Sequence, residues 1–511
     1  MAKNRLKSKK ISYKSIIFVV LICCFLFVLC SPDRGQKAPK GPFTADWESL
    51  SKHNPAPDWF LDAKFGIYFH WGVYSVPAFS TEWYPRRMHD LDSKENKHHI
   101  ATYGQPTEFG YADFVPMFKA EKFNAEEWAD LFVRAGARFA GPVAEHHDGF
   151  SMWDSDLTPW NAADKGPKRD ITGELEKAIH GRGMRFFTSF HHARNNLWQN
   201  PDKSNEIWSG HYGLAKQNYP ALFEDPERAI MYGDMPRDLF LDMWKGKLKE
   251  VIDKYHPDIM WFDSWLDEIP DSVKAEYLAH YFNRANELGK EVVVTFKQED
   301  LPQDVGVLDL EKGRMGELTT FPWLTDDTIS KGSWCYTQDL EIKSTSIVLH
   351  SLIDIVSKNG VLVLNISPKA DGTIPEIQQN VLLQMGSWLG KYGEAIYDTR
   401  PWLTFGEGPT QLKAGRFGGF TDAGGYTAQD VRYTQKDNSI YAILLGTPDA
   451  GQQVTLESFA KNKFGKDVKI KNVSMLDSGQ KVKWQQGEKG LVITAPAKDS
   501  DELAVVFRLE I

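Results

Sequence analysis

Between about Trp59 and Tyr397 the chain alternates short apolar runs rich in β-formers with amphipathic helical patterns, and no other feature limits its fold so tightly. Strand periodicity and helix periodicity that keep trading places describe a parallel β/α architecture, because parallel strands need a crossover between them. Strand-like runs fall at 64–72, 138–145, 184–190, 255–263, 291–296, 305–310 and 360–366, and helical patterns at 125–135, 174–180, 238–255, 347–357 and 376–391. Seven or so such units suit a (β/α)8-type barrel with insertions better than an open doubly wound sheet, and no glycine-rich phosphate loop follows any of the strands. Past Arg400-Pro-Trp402 the pattern changes to short alternating runs, as at 440–445 and 502–508, separated by turn residues. That reads as a small antiparallel β-sandwich with a supporting or sugar-binding part.

In a barrel, chemistry sits where the strands end. The ends here carry His70-Trp71, Glu145-His146-His147-Asp148, His191-His192, Asp263, Lys297, Glu311 and Asn365. One such residue would be a cap or a satisfied core group, but seven polar ends converging on one face describe a site. Asp263 is the most pointed of them, since it closes an apolar run among Trp261, Phe262 and Trp265. A carboxylate placed there is costly unless it is paired or hydrogen-bonded; its structural alternative is a helix N-cap. Two insertions, 88–110 and 195–236, follow strand ends and are expected to wall a cleft.

The first thirty residues form a separate unit. Lys3, Arg5, Lys7, Lys9, Lys10 and Lys14 precede an apolar run over 16–29, the layout of an export signal. Cys30, followed by a polar stretch rich in Gly, Pro and Lys, is the candidate lipid-attachment residue of a bacterial lipoprotein, periplasmic or outer-membrane-associated. Leu29 is larger than the small residue such sites carry, so plain cleavage and retention as an anchor are the competing fates. The expected organisation is a signal segment 1–30, a linker 31–45, a barrel 46–398 and a sandwich 399–511. Cys335 is the only cysteine beyond Cys30, so the body holds no intramolecular disulfide. Loss of the six leading cations would take the formal net charge from −9 to −15, which argues against nucleic acid as a partner.

Two carboxylates, one ionised and one carrying a proton, are the minimum equipment for cleaving a glycosidic bond. Asp263 suits the first part. Glu311, which terminates the run Val307-Leu-Asp-Leu310, suits the second, with Glu317 competing. His70, His146 and His147 with a carboxylate would also fit a zinc site, but adjacent histidines on a strand point to opposite faces. Histidines beside Trp71 and Trp83, with Glu82, are better matched to sugar hydroxyls, so neither metal nor cofactor is expected.

Phe65-Gly-Ile-Tyr-Phe-His-Trp-Gly-Val-Tyr-Ser-Val-Pro77, Glu82-Trp-Tyr84, His146-His-Asp-Gly-Phe150, Ser357-Lys-Asn-Gly-Val-Leu-Val-Leu-Asn-Ile-Ser-Pro368 and Gly393-Glu-Ala-Ile-Tyr-Asp-Thr-Arg-Pro-Trp402 together resemble the α-L-fucosidases of glycoside hydrolase family 29. The resemblance implies an exo-acting enzyme that releases terminal fucose from fucosylated glycans by a retaining double displacement. It implies Asp263 as nucleophile, Glu311 as acid/base, and His70, Glu82, Trp83, His146 and His147 as contacts to the fucose hydroxyls. The position of Glu311 ahead of Pro322-Trp323 is similar to that in the family. An α-L-galactosidase or transfucosylase on the same scaffold, or a surface lipoprotein that binds glycans without turnover, are the alternatives. The chain departs from the family pattern at Glu145, where a Lys is usual, at Phe187-Thr-Ser-Phe-His-His192, where His191 or His192 replaces the usual residue, and at Lys297, where relatives place an Arg.

Overall fold

The structure, a computed structural model, describes residues 40–199, 208–417, 425–496 and 503–511. The signal segment, Cys23, Cys24, Cys30 and most of the expected linker lie outside the described residues.

Eight parallel strands close a barrel in which each pairs with its sequence neighbours: β1 (Phe65–Phe69), β2 (Phe139–Glu145), β3 (Arg185–Phe190), β4 (Ile259–Phe262), β5 (Val293–Lys297), β6 (Val307–Asp309), β7 (Trp323–Thr328) and β8 (Gly360–Ile366). The ring closes where β1 meets β8, with Phe65 beside Leu362 and Tyr68 beside Asn365. Seven of these strands fall on runs read from the sequence. The eighth, β7, reads Trp-Leu-Thr-Asp-Asp-Thr, and its paired acids hide a strand that is nonetheless buried throughout.

Six helices flank the barrel: α1 (Ala125–Arg134), α2 (Ile171–His180), α3 (Arg237–Tyr255), α4 (Asp271–Glu287), α5 (Thr345–Ser357) and α6 (Glu376–Tyr392). The connections 298–306 and 310–322 carry no helix, so β5, β6 and β7 follow one another through loops alone. Helix starts follow side-chain chemistry. Asn124 accepts from the backbone N–H groups of Glu126 and Glu127 ahead of α1, and Asp170 accepts from Gly173 ahead of α2. Trp128, Leu131 and Phe132, at helical spacing, turn one face of α1 inward.

Alternate residues of the strands fill the lumen. Phe139, Val143, Phe187, Ile259, Trp261, Val293, Val307, Leu324, Val361 and Val363 form one apolar cluster, floored by Phe60 and Ala63 from a short helix before β1. Gly141 sits between Phe139 and Val143, where a Cβ would lie 1.6 Å from the Phe187 carbonyl oxygen, so β2 and β3 can approach this closely only at glycine.

The C-terminal part is a two-sheet sandwich. A five-stranded antiparallel sheet runs in the order Arg400–Glu407, Val431–Lys436, Ser439–Leu444, Val505–Glu510, Asn472–Met475, and a three-stranded one in the order Gln453–Leu456, Gly490–Thr494, Lys483–Gly487. Trp402, Tyr433, Leu456, Phe459, Ile493 and Phe507 share its core. Arg432 Nε donates to Asp354 Oδ1 of α5 at 2.6 Å, and Trp388 Nε1 of α6 donates to the Ala504 carbonyl at 2.9 Å, joining sandwich to barrel.

Candidate active site

Strand pleating decides which side chains reach the open end of the lumen. On β4, Ile259 and Trp261 face inward while Phe262 packs outward against Trp244 and Tyr277, so Asp263 is the next residue to turn in. Asp263 Oδ2 lies 3.3 Å from both His147 Nε2 and His191 Nδ1, and Oδ1 lies 3.3 Å from Lys297 Nζ. Burial pushes this carboxyl up, but the Lys297 charge and the two imidazoles outweigh it and hold Asp263 well below the usual carboxylate range. It is no helix cap, since the turn Leu266–Glu268 begins at Trp265 without a side-chain cap.

Lys297, at the end of β5 and only 2% exposed, is the hub of the site. Its Nζ stands 3.3 Å from Asp263, 3.1 Å from Glu311 Oε2, 3.4 Å from Asp326 Oδ1 and 3.6 Å from Asp309 Oδ2. One ammonium cannot balance four carboxylates away from water. The strain of the surplus falls on Asp309 and Asp326, where burial and the neighbouring acids raise both carboxyls, Asp309 well above the usual carboxylate range. The Asp326 N–H donates to Asp309 Oδ1 at 3.0 Å, and the Tyr68 hydroxyl donates to Asp326 Oδ2 at 3.0 Å.

Glu311 follows β6 and lines the same cavity. Besides Lys297, its Oε2 accepts from Arg416 Nη2 at 2.8 Å, and that guanidinium also reaches Ser264 Oγ at 3.0 Å. Glu317 is exposed and outside the cavity. Across the mouth, Asn365 Oδ1 accepts from the His70 backbone N–H and faces His70 Nδ1, both at 2.8 Å, leaving Nε2 free for the lumen. His146 lies with its ring 5.3 Å from His70 and 4.5 Å from His191. Burial holds His70 and His191 down at about 3 and His146 well below its ordinary value, so all three are neutral imidazoles at neutral pH. Glu82 Oε2 accepts from Ser333 Oγ and the Trp334 N–H, each at 3.0 Å.

Of the residues expected from sequence, His70, Glu82, Trp83, His146, Asp263 and Glu311 line one cavity of about 600 Å³, a size ordinary for a small-ligand site. His147 does not line it; the ring stands behind Asp263, 5.0 Å from Trp83 and stacked on His211. The ambiguity between His191 and His192 resolves by register: Phe187, Ser189 and His191 share a face, and His192 stacks on Trp244 outside. A bulge in β2 between Val143 and Glu145 shifts that strand's alternation, turning Glu145 out to Lys247 at 2.8 Å and His146 in. The insertion 88–110 supplies no lining residue, contrary to expectation; His99, Tyr103 and Phe109 pack beneath the Glu82-Trp83 segment against Tyr84 and Phe114. The insertion 195–236 lines a neighbouring cavity instead.

Sequence reasoning missed Asp309, Asp326, Trp334 and Arg416. The two acids sit inside strands, where a carboxylate reads as a break in the pattern, and Arg416 stands in a glycine-rich turn with no local signal. Among the described residues, two groups could hold a cation, His70-His146-His191 and His147-His191-Asp263. The adjacent histidines 146 and 147, just past the end of β2, fall into different groups.

Residues 31–394 match the family model described as Alpha-L-fucosidase, and residues 425–510 the one described as Alpha-L-fucosidase C-terminal domain. The tissue alpha-L-fucosidase of Rattus norvegicus is 32% identical over 486 residues, 92% of this chain and 92% of its own. The tissue alpha-L-fucosidase of Homo sapiens is 32% identical over 493 residues, 94% of this chain and 92% of its own. Among solved structures, the Thermotoga maritima alpha-fucosidase in complex with fucose superposes with a TM-score of 0.71 at 30% identity, covering 91% of this chain and all of that one.

Proposed function

Because the chain belongs to the α-L-fucosidase family and is a glycoside hydrolase acting on α-L-fucosides, we propose that it removes terminal fucose with retention, through Asp263 as nucleophile and Glu311 as acid/base. The observation that carries this pairing is their shared contact to Lys297 Nζ. Distances of 3.3 and 3.1 Å from one nitrogen cap the separation of the two oxygens at their sum, about 6.4 Å, which falls short of the roughly 6.5–9.5 Å of inverting pairs and admits the roughly 5–5.5 Å of retaining ones.

In the first step Asp263, ionised under Lys297 and its two imidazoles, attacks the anomeric carbon. Glu311 gives the departing oxygen its proton; Oε2 is taken up by Lys297 and Arg416, so Oε1 carries it. The fucosyl ester on Asp263 is then opened by water that Glu311 deprotonates. Neutral His70, His146 and His191, each able to donate and accept, face the ring hydroxyls with Glu82, and Trp83 and Trp334 offer apolar faces to the sugar.

Hydrolysis of an aryl α-L-fucoside is the direct assay. Asp263→Gly is expected to lose at least about a thousandfold in kcat and to regain turnover with azide, giving the inverted β-fucosyl azide, whereas Glu311→Gly with azide gives the retained α-azide. Rescue at neither position would refute the pairing. We propose further, from the basic and apolar layout of the first thirty residues, that the enzyme is exported and lipid-anchored at Cys30. Membrane fractionation checks this: Cys30→Ser is expected to release the protein from the membrane, and an unchanged membrane fraction rules the lipid anchor out.

A further inference from the structure

A second cavity, of about 210 Å³, adjoins the catalytic one and shares the Trp265 side chain as a wall. Its lining joins three tryptophans, Trp198, Trp208 and Trp265, to three arginines, Arg86, Arg194 and Arg237, with Glu268 the one carboxylate side chain among its lining residues. In a chain of formal net charge −9 such a concentration of guanidinium groups is local and specific.

None of the three arginines pairs with a carboxylate side chain among the described residues. Arg86 donates to the backbone carbonyls of Gly210 and His211 at 2.8 and 2.9 Å, and Arg237 to Asn196 Oδ1 at 3.1 Å and to the Glu268 carbonyl. Those bonds fix two positive charges without neutralising them. The Arg194 guanidinium makes no hydrogen bond or ion pair to any described residue; it lies 3.9 Å above the Trp265 ring and 5.2 Å from the Trp83 ring. Burial and the Arg86 charge pull Arg194 down to about 10, the direction expected of a cation short of its counter-charge. Trp265 has φ +87°, a left-handed conformation that is strained for an aromatic residue. That turn, two residues past Asp263, sets the indole between the two cavities and beneath Arg194.

We propose that this cavity is a subsite for an anionic group, a sulfate ester or a carboxylate, on the glycan from which fucose is removed. It rests on the fucosidase reading and extends it to the substrate class. A sugar joined to the fucosyl oxygen and crossing the Trp83–Trp265 wall brings its substituents to Arg194, whose fork matches two oxygens of either anion. The exposed Arg237 adds a second donor at the rim.

Three fucosides matched except for a neutral, a sulfated or a uronic-acid aglycone sugar test this, with kcat/KM measured at low and high ionic strength. The wild-type enzyme is expected to favour at least one anionic substrate by about tenfold or more, and the advantage to shrink as salt screens it. Arg194→Met, which keeps an apolar stem but removes the guanidinium, is expected to bring the ratio to within about twofold while hydrolysis of a neutral aryl fucoside stays within about twofold of wild type. Arg237→Gln, at an exposed position, is expected to weaken the preference in part. Whichever of the sulfated and carboxylated arms shows the advantage identifies the source of the anion. Equal kcat/KM for all three substrates, or a preference surviving both substitutions, overturns the subsite. Loss of aryl fucoside turnover in the wild type would instead overturn the fucosidase reading, so the two failures are distinguishable.

Discussion

Lys297 shows how a single side chain can set the charge states of a whole site. It holds Asp263 ionised and reaches Glu311, Asp309 and Asp326 as well, all from one buried nitrogen. Asp263 loses its charge only when pH falls below the usual carboxylate range, so the acid limb of kcat/KM owes nothing to it in mildly acidic solution. Lys297→Met removes the strongest influence that lowers this carboxyl, and the acid limb is expected to move up by about 1–3 pH units. A pH profile of the variant measures it, and an unmoved limb would show that the imidazoles suffice. Asp263 and Glu311 were legible in the sequence because each ends an apolar run abruptly. His191 was legible as a type of residue but not as a position, since one step of register separates it from His192. Arg416 reaches Glu311 from a distant segment, and nothing in Gly415-Arg-Phe shows that.

At the scale of elements, hydrophobic periodicity revealed seven strands and missed β7, whose buried Asp326 and Asp327 each take a partner from outside the strand, Tyr68 and Lys343. The β2 bulge was equally hidden, being a matter of pairing and not of composition. Helix α2 ends on another charge arrangement of consequence. His180 faces Glu176 at 2.7 Å and Asp258 at 2.8 Å, and those hydrogen bonds pull it up to about 9. Asp258 in turn accepts from the Phe186 N–H at 2.9 Å, so the imidazolium ties α2 to the starts of β3 and β4. A histidine raised on folding stabilises fully below its unfolded value of 6.5, and that contribution drains away as pH rises to about 9. Thermal unfolding should therefore show stability falling by about 2 kcal/mol across that window after allowance for partial exposure. His180→Gln is expected to flatten this slope, and a slope that persists would assign it elsewhere.

At the scale of the whole molecule, a buried charge knot joins barrel and sandwich beside the apolar core they share. Asp354 of α5 meets Arg432 at 2.6 Å, Lys358 at 2.9 Å and Arg314 at 3.4 Å, so three cations surround one carboxylate beneath the first sheet of the sandwich. Removing the carboxylate strands those charges in a dry interface, and Asp354→Asn is expected to cost about 3–5 kcal/mol in a denaturant titration. A two-part architecture of barrel and sandwich could be read from the change of pattern near Trp402, but not that the later part reaches back into the catalytic cavity with Arg416 and Phe417. That reach has a consequence in time. Strand β1 cannot complete its pairing with β8 until residue 366 has been made, and Glu311 lacks its second cation until residue 416. At roughly 5–20 residues per second, translation leaves the first strand without its final neighbour for tens of seconds. The nascent chain thus carries an open barrel for most of its synthesis, and the cavity gains its Arg416 wall later still.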